Sequence, residues 1–145
     1  MRIVEVRSPG LFTTVQDRGR YGYGPIGVSP SGAADPIALR LGNLLAGNPD
    51  TAASLEMTLL GGTFVFPDGG VIALTGSDFG SVLDGSPLPM WATCLVRPGQ
   101  TLKIGPTQSG ARCYLSVRGG IAVRPFLGSW LGSRENKLPL YFYLP

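Results

Sequence analysis

Histidine is absent from all 145 residues. Without an imidazole there is no Ser-His-Asp or Cys-His nucleophile pair, no His-ligated zinc and no His proton shuttle. Proton transfer falls to a carboxylate, a tyrosine or water. Cysteine is almost absent as well. Cys94 and Cys113 sit in apolar, strand-like runs without metal-ligand spacing, which reads as two buried structural thiols with no disulfide and no metal site. Charged residues make up only 14%, and the 12 basic ones, ten of them Arg, never form a run, so no nucleic-acid partner is expected. No apolar stretch approaches the roughly 20 residues of a membrane span. The opening residues, MRIVEV, alternate like a strand and lack a signal-peptide core, so the expected compartment is the cytoplasm.

What is abundant is punctuation. Gly 22 and Pro 13 are spread along the chain and separate short apolar runs, a pattern of strands joined by tight turns. Strands are predicted at residues 3–6, 11–16, 54–59, 63–66, 71–75, 81–83, 93–96, 101–104 and 112–117. One helix is predicted near residues 35–46, with Asp35 as its N-cap, Pro36 at its first position and Gly47 as its stop. Ile37, Leu41, Leu44 and Leu45 recur on one face of it, which predicts that this side packs on something apolar. Many strands and one helix predict a mainly β fold, a barrel or a sandwich.

The segment between the second strand and the helix carries the chemistry. Gln16, Asp17, Arg18 and Arg20 open it, and Ser29, Ser31 and Asp35 close it, over a loop far longer than a connection of about four to six residues. Its Gly22-Tyr23-Gly24-Pro25-Ile26-Gly27 matches the G-x-G-x-x-G dinucleotide pattern, but Pro25 and Pro30 interrupt it and no helix opens inside the turn, so it reads as a chance match. Asp17 among arginines stays ionised, suited to anchoring a ligand or to pinning the loop by ion pairing. Ser31 is open to a ligand role, whereas Asp35 reads as a cap. Glu56, a carboxylate in the apolar run Leu55–Leu59, either needs a buried partner or faces outward with Thr58 on an alternating strand. Arg118, ending the last strong strand, serves either anion capture or surface charge.

These segments, in this order, resemble the carboxyltransferase subdomain A and B family, whose members include the second subunit of allophanate hydrolase, KipA and the C-type subunit of 5-oxoprolinase. The likeness is carried by residues 10–20 (GLFTTVQDRGR), 27–35 (GVSPSGAAD), 43–48 (NLLAGN), 55–58 (LEMT), 74–76 (LTG) and 114–121 (YLSVRGGI). It runs from residue 1 to about 128 and implies a cyclophilin-like β-barrel. Residues 129–145 do not match the family pattern, and family members are about twice as long, so the chain is expected to be the N-terminal part of such a domain followed by an atypical tail.

The resemblance further implies a partner of the first-subunit or KipI-like type and a small amide substrate. In one branch the activity is ATP-dependent opening of 5-oxoproline to glutamate, with ATP bound together with partner subunits. Another branch transfers a carboxyl group from biotin to urea. A third role is non-catalytic binding of a KipI-like kinase inhibitor. In the oxoprolinase reading, Asp17 and Glu56 are the candidate catalytic carboxylates. Gln16, Arg20, Ser31 and Arg118 are the candidate substrate-binding residues, with Glu56 and Arg118 as opposing walls of the pocket.

Overall fold

The computed structural model describes residues 2–122 and the backbone of residues 141–144. The expectation of an atypical tail falls on residues 129–145, and its part up to residue 140 lies outside the described residues. In chain order the strands are β1 (Arg2–Ser8), β2 (Phe12–Gln16), β3 (Ser54–Thr58), β4 (Thr63–Phe66), β5 (Gly70–Gly76), β6 (Val82–Leu83), β7 (Ser86–Pro87), β8 (Thr93–Val96), β9 (Gln100–Lys103), β10 (Arg112–Val117) and β11 (Tyr141–Leu144). Among the described residues a single α-helix, α1 (Pro36–Ala46), follows a short 3-10 turn at Gly24–Ile26. Each strand expected from sequence is present, and the β6–β7 hairpin with its Asp84-Gly85 turn adds Ser86–Pro87.

Two antiparallel sheets form. The larger has six strands in the order β11-β1-β4-β9-β6-β7, and the other has five in the order β2-β3-β10-β5-β8. The fold is mainly β with one helix, as expected, and among the described residues its strands group into these two sheets. Strand alternation sends one face of each sheet inward. Val4, Val6, Phe64, Phe66 and Leu102 from the first sheet meet Val15, Leu55, Met57, Leu74 and Leu115 from the second in a single core. Cys94 and Cys113 are buried in that core and unpaired. Burial, with the nearby Asp78 charge a lesser cause, pushes the Cys113 thiol up to about 12, and burial also raises Cys94.

The outer face of the five-stranded sheet differs. Register places Thr14, Glu56, Tyr114 and Thr75 in one row across it, with Ser54 and Ser116 in the next. Hydroxyls buried under a helix must be hydrogen-bonded, and α1 supplies the partners. Thr75 donates to the Ala38 carbonyl at 2.7 Å, and Ser54 donates to Asn43 Oδ1 at 3.1 Å while sharing a 2.8 Å bond with Ser116. Asn43 in turn donates to the Ala52 carbonyl at 2.7 Å.

This polar layer sets the rotation of α1, and the expected packing face is wrong. The buried residues are Ala38, Leu39, Gly42, Asn43 and Ala46. Ile37, Leu41 and Leu44 point outward, at 70%, 41% and 52% exposure. Leucines turned inward would strand the sheet's hydroxyls without partners. Gly42 makes the close approach possible, because a Cβ there would lie 2.7 Å from Ser116 Oγ and 2.8 Å from Thr75 Oγ1.

Candidate functional site

The loop before α1 is folded back on itself. Its two arms, residues 17–20 and 29–35, touch where Gly19 and Gly32 face each other. A Cβ on Gly32 would sit 2.8 Å from the Gly19 nitrogen, and one on Gly19 would sit 2.6 Å from the Pro30 carbonyl oxygen. Both glycines also have positive φ, +91° in each case, where a side chain is disfavoured. The Arg20 amide donates to the Pro30 carbonyl and the Ala33 amide to the Asp17 carbonyl, closing the clasp.

Within the clasp, Asp17 is 4% exposed, and its Oδ1 accepts the Gly19 N–H at 2.7 Å. Arg20 reaches across the two arms, its Nη2 donating to Ser31 Oγ at 3.0 Å and to the Ser29 carbonyl at 3.5 Å. Ser31 itself sits at φ +52°, an unusual conformation for a residue with a side chain. Gln16 ends β2 and donates to Thr14 Oγ1 at 3.0 Å, leaving its buried Oε1 without a hydrogen-bond partner among the described residues. Arg18 turns away toward Asp50, 3.4 Å distant.

Glu56 lies under the second arm and is 6% exposed, although it points away from the core. Its Oε2 accepts the Ala34 N–H at 2.8 Å and the Tyr114 hydroxyl at 2.7 Å. Oε1 is 3.4 Å from Arg112 Nε, within ion-pair distance, although Nε makes no hydrogen bond. The consecutive amides of Ala33 and Ala34 therefore end on Asp17 and Glu56, so one stretch of backbone brings these two residues together. Tyr114 also accepts the Asp35 N–H at 2.8 Å. Burial, followed by the Glu56 hydrogen bond, raises its phenol above the usual tyrosine range. Asp35 caps α1 as expected, accepting the Ala38 N–H at 3.0 Å.

Gln16, Asp17, Arg20, Ser31 and Glu56 are thus gathered around one loop, but Arg118 is not among them. Its Nε donates to the Ala46 carbonyl at 2.9 Å, at the far end of α1. A helix of 11 residues is about 16 Å long. Arg118 cannot form a wall opposite Glu56; it caps a helix C-terminus, where a cation complements the dipole. Tyr114 and Arg112 were missed from the sequence. Alternation places both on the same strand face, but only the pairing of β3 with β10 brings them to Glu56, and that pairing is non-local.

Over the first turns of α1 the loop leaves an open groove of about 380 Å³, lined by Arg18, Tyr21, Pro36, Ile37, Arg40, Leu41 and Leu44. Among the described residues there is no group of three His, Cys, Asp or Glu side chains placed to hold a metal ion. Among the same residues, no helix is long and apolar enough to cross a membrane.

The chain belongs to the family described as carboxyltransferase domain, subdomain A and B, whose model matches residues 26–138. It is 44% identical over 128 residues to urea amidolyase of Saccharomyces cerevisiae, an alignment covering 88% of this chain and 7% of that protein. It is 41% identical over 127 residues to the C-type subunit of 5-oxoprolinase from Escherichia coli, covering 88% of this chain and 41% of that one. Among solved structures it is similar to the K. lactis urea amidolyase (TM-score 0.85, 41% identity, 88% of this chain and 8% of that chain). It is equally similar in fold to the protein TTHA0988 (TM-score 0.85, 38% identity, 90% of this chain and 26% of that chain). The chain therefore spans less than half the length of each of these relatives.

Proposed function

We propose that this chain supplies the substrate-holding part of a 5-oxoprolinase-type amide hydrolase, acting in the cytoplasm in a complex with a KipI-like first-subunit partner. The observation that carries the reading is the clasped loop, which sets a carboxylate, a guanidinium, a hydroxyl and a carboxamide on one rigid frame beside the start of α1. A cyclic amide bearing a carboxylate asks for that set. In this reading Arg20 and Ser31 hold the substrate carboxylate, since a guanidinium and a hydroxyl both donate to it. The unpartnered Oε1 of Gln16 accepts the lactam N–H.

Asp17 orients the water that adds to the lactam carbon as the C–N bond breaks and the ring nitrogen takes a proton. Glu56 has Oε2 occupied by two donors, so its part is to fix the loop, and it acts as a positioning residue. Among the described residues, neither element that could cradle a phosphate suits ATP. The N-terminus of α1 already holds the Asp35 carboxylate, which repels a phosphate, and Gly24–Ile26 is a single 3-10 turn that opens no helix for one. The nucleotide in this reading belongs to partner subunits.

The second reading is a urea carboxyltransferase domain, favoured by the 44% identity to urea amidolyase. One assay separates them. The chain, assembled with its KipI-like partner and the further partner subunit that binds the nucleotide, is given 5-oxoproline with ATP and, separately, urea with carboxylated biotin. ATP-dependent glutamate release supports the first reading. Carboxylation of urea without glutamate release replaces it with the second, and partner binding without either activity favours the non-catalytic regulatory role.

A further inference from the structure

We propose that the outward face of α1 is a docking surface for an amphipathic helix of the partner protein, one that places a carboxylate between Arg18 and Arg40. The inference rests on the reading above that a KipI-like partner exists, and it names the surface that partner uses.

Ile37, Leu41 and Leu44 stand at i, i+4 and i+7, a seam along two turns of α1, and solvent reaches 70%, 41% and 52% of them. Tyr21, 72% exposed, rises beside the seam from the loop. Together with Pro36 they floor the 380 Å³ groove. A row of large apolar side chains at this spacing is the surface one helix offers another, whose ridges fill the grooves between them. The sheet-facing side of α1 already satisfies the sheet through the Ala38 carbonyl and Asn43, so the outward apolar face serves nothing within the described residues.

Charge selects the occupant. Arg18 Nη1 and Arg40 Nε approach the same atom, Asp50 Oδ2, at 3.4 and 3.3 Å. Two guanidinium groups share one carboxylate, which leaves the rim of the groove one positive charge in excess. A carboxylate on the incoming helix balances it, and a second copy of α1, carrying the same arginines, would repel it.

The test uses the full chain and the purified KipI-like protein from the same genome, with affinity measured by calorimetry at low and high salt. Ile37→Asp and Leu44→Asp are expected to weaken binding at least about tenfold, as central apolar anchors do. Arg40→Glu is expected to weaken it and to flatten its salt dependence. Leu95→Asp, on an exposed site of β8, serves as a control that binds like the unaltered chain. Unchanged folding of each variant is checked by circular dichroism and an unfolding midpoint.

If the unaltered chain binds and the helix variants bind equally well, the docking surface is overturned while the partner reading stands. If the unaltered chain does not bind at all, the partner reading itself falls and takes this inference with it. Self-association by sedimentation that Leu44→Asp abolishes would instead assign the face to a second copy and overturn the proposal.

Discussion

The hydroxyl of Tyr114 donates to Glu56 Oε2 at 2.7 Å and accepts the Asp35 N–H at 2.8 Å, so one buried oxygen ties β3, β10 and the start of α1 together. The carboxylate it touches also holds the Ala34 amide. Two consecutive amides of the loop before α1 therefore hang on a two-residue bracket rising from the sheet. The loop's order derives from the sheet, across 79 residues of sequence.

Removing that hydroxyl should loosen the loop more than the core. Tyr114→Phe leaves the Asp35 N–H and Glu56 each short of a partner, at a cost of about 1–3 kcal/mol. Urea unfolding measures the loss. Hydrogen exchange should quicken at residues 33–36 and stay unchanged in β4 and β9. Equal quickening everywhere would show that the bracket has no local role.

Alkaline pH should destabilise the fold. Tyr114 is held above its ordinary value and Cys113 is pushed up to about 12. Below the ordinary values, about 8.5 for Cys and 10 for Tyr, both states carry the protons and the contribution is fully present. As pH rises past them the unfolded chain releases its protons while the folded chain keeps them, so stability falls. Denaturant midpoints should decline from about pH 9 upward, and the decline should be shallower in Tyr114→Phe. The same burial predicts that Cys113 resists a thiol reagent at about pH 8 until the chain is unfolded.

Gly42→Ala separates helix propensity from packing. In an exposed helix the change would stabilise by up to about 1 kcal/mol. Here the added methyl would sit 2.7 Å from Ser116 Oγ and 2.8 Å from Thr75 Oγ1, both already committed to other partners. Overpacking of this kind costs about 1–3 kcal/mol, so the net effect is expected to be destabilising. A variant more stable than the original chain would mean that α1 can lift off the sheet without cost.

Asp17→Asn keeps an acceptor for the Gly19 N–H, so the fold should persist. On the proposed 5-oxoprolinase reading, turnover of 5-oxoproline by the assembled complex should fall by about a hundredfold or more, the scale of losing a positioned carboxylate. Arg118→Gln, at the other end of α1, should leave turnover intact and cost about 0.3–1 kcal/mol of stability. Unchanged turnover in Asp17→Asn removes Asp17 from the chemistry.

The strands were legible because Gly and Pro cut the sequence into runs whose alternation matches a sheet, and the caps of α1 were legible because Asp35, Pro36 and Gly47 act within a single turn. The rotation of α1 was not. Its leucine stripe is the stronger pattern, but the partner face is a layer of Thr75, Ser116 and Ser54 that assembles from three separate strands. The fainter signal was the small-residue series Ala38, Gly42 and Ala46. In the candidate site, the clustering of Gln16, Asp17, Arg20 and Ser31 on one loop was visible as density in sequence, whereas Tyr114 and Arg112 join them only through strand pairing. Arg118 misled because a guanidinium beside glycines looks the same from sequence whether it meets a ligand or a carbonyl.

The five-stranded sheet is glued by oil on one side and, on the other, mainly by directed bonds beside a small apolar cluster of Ala38, Leu39 and Tyr114. Cooling weakens apolar association while leaving hydroxyl-to-carbonyl links largely untouched. Near freezing, α1 should cling to its sheet while the contact between the two sheets slackens, and warming toward room temperature should restore the second attachment without tightening the first.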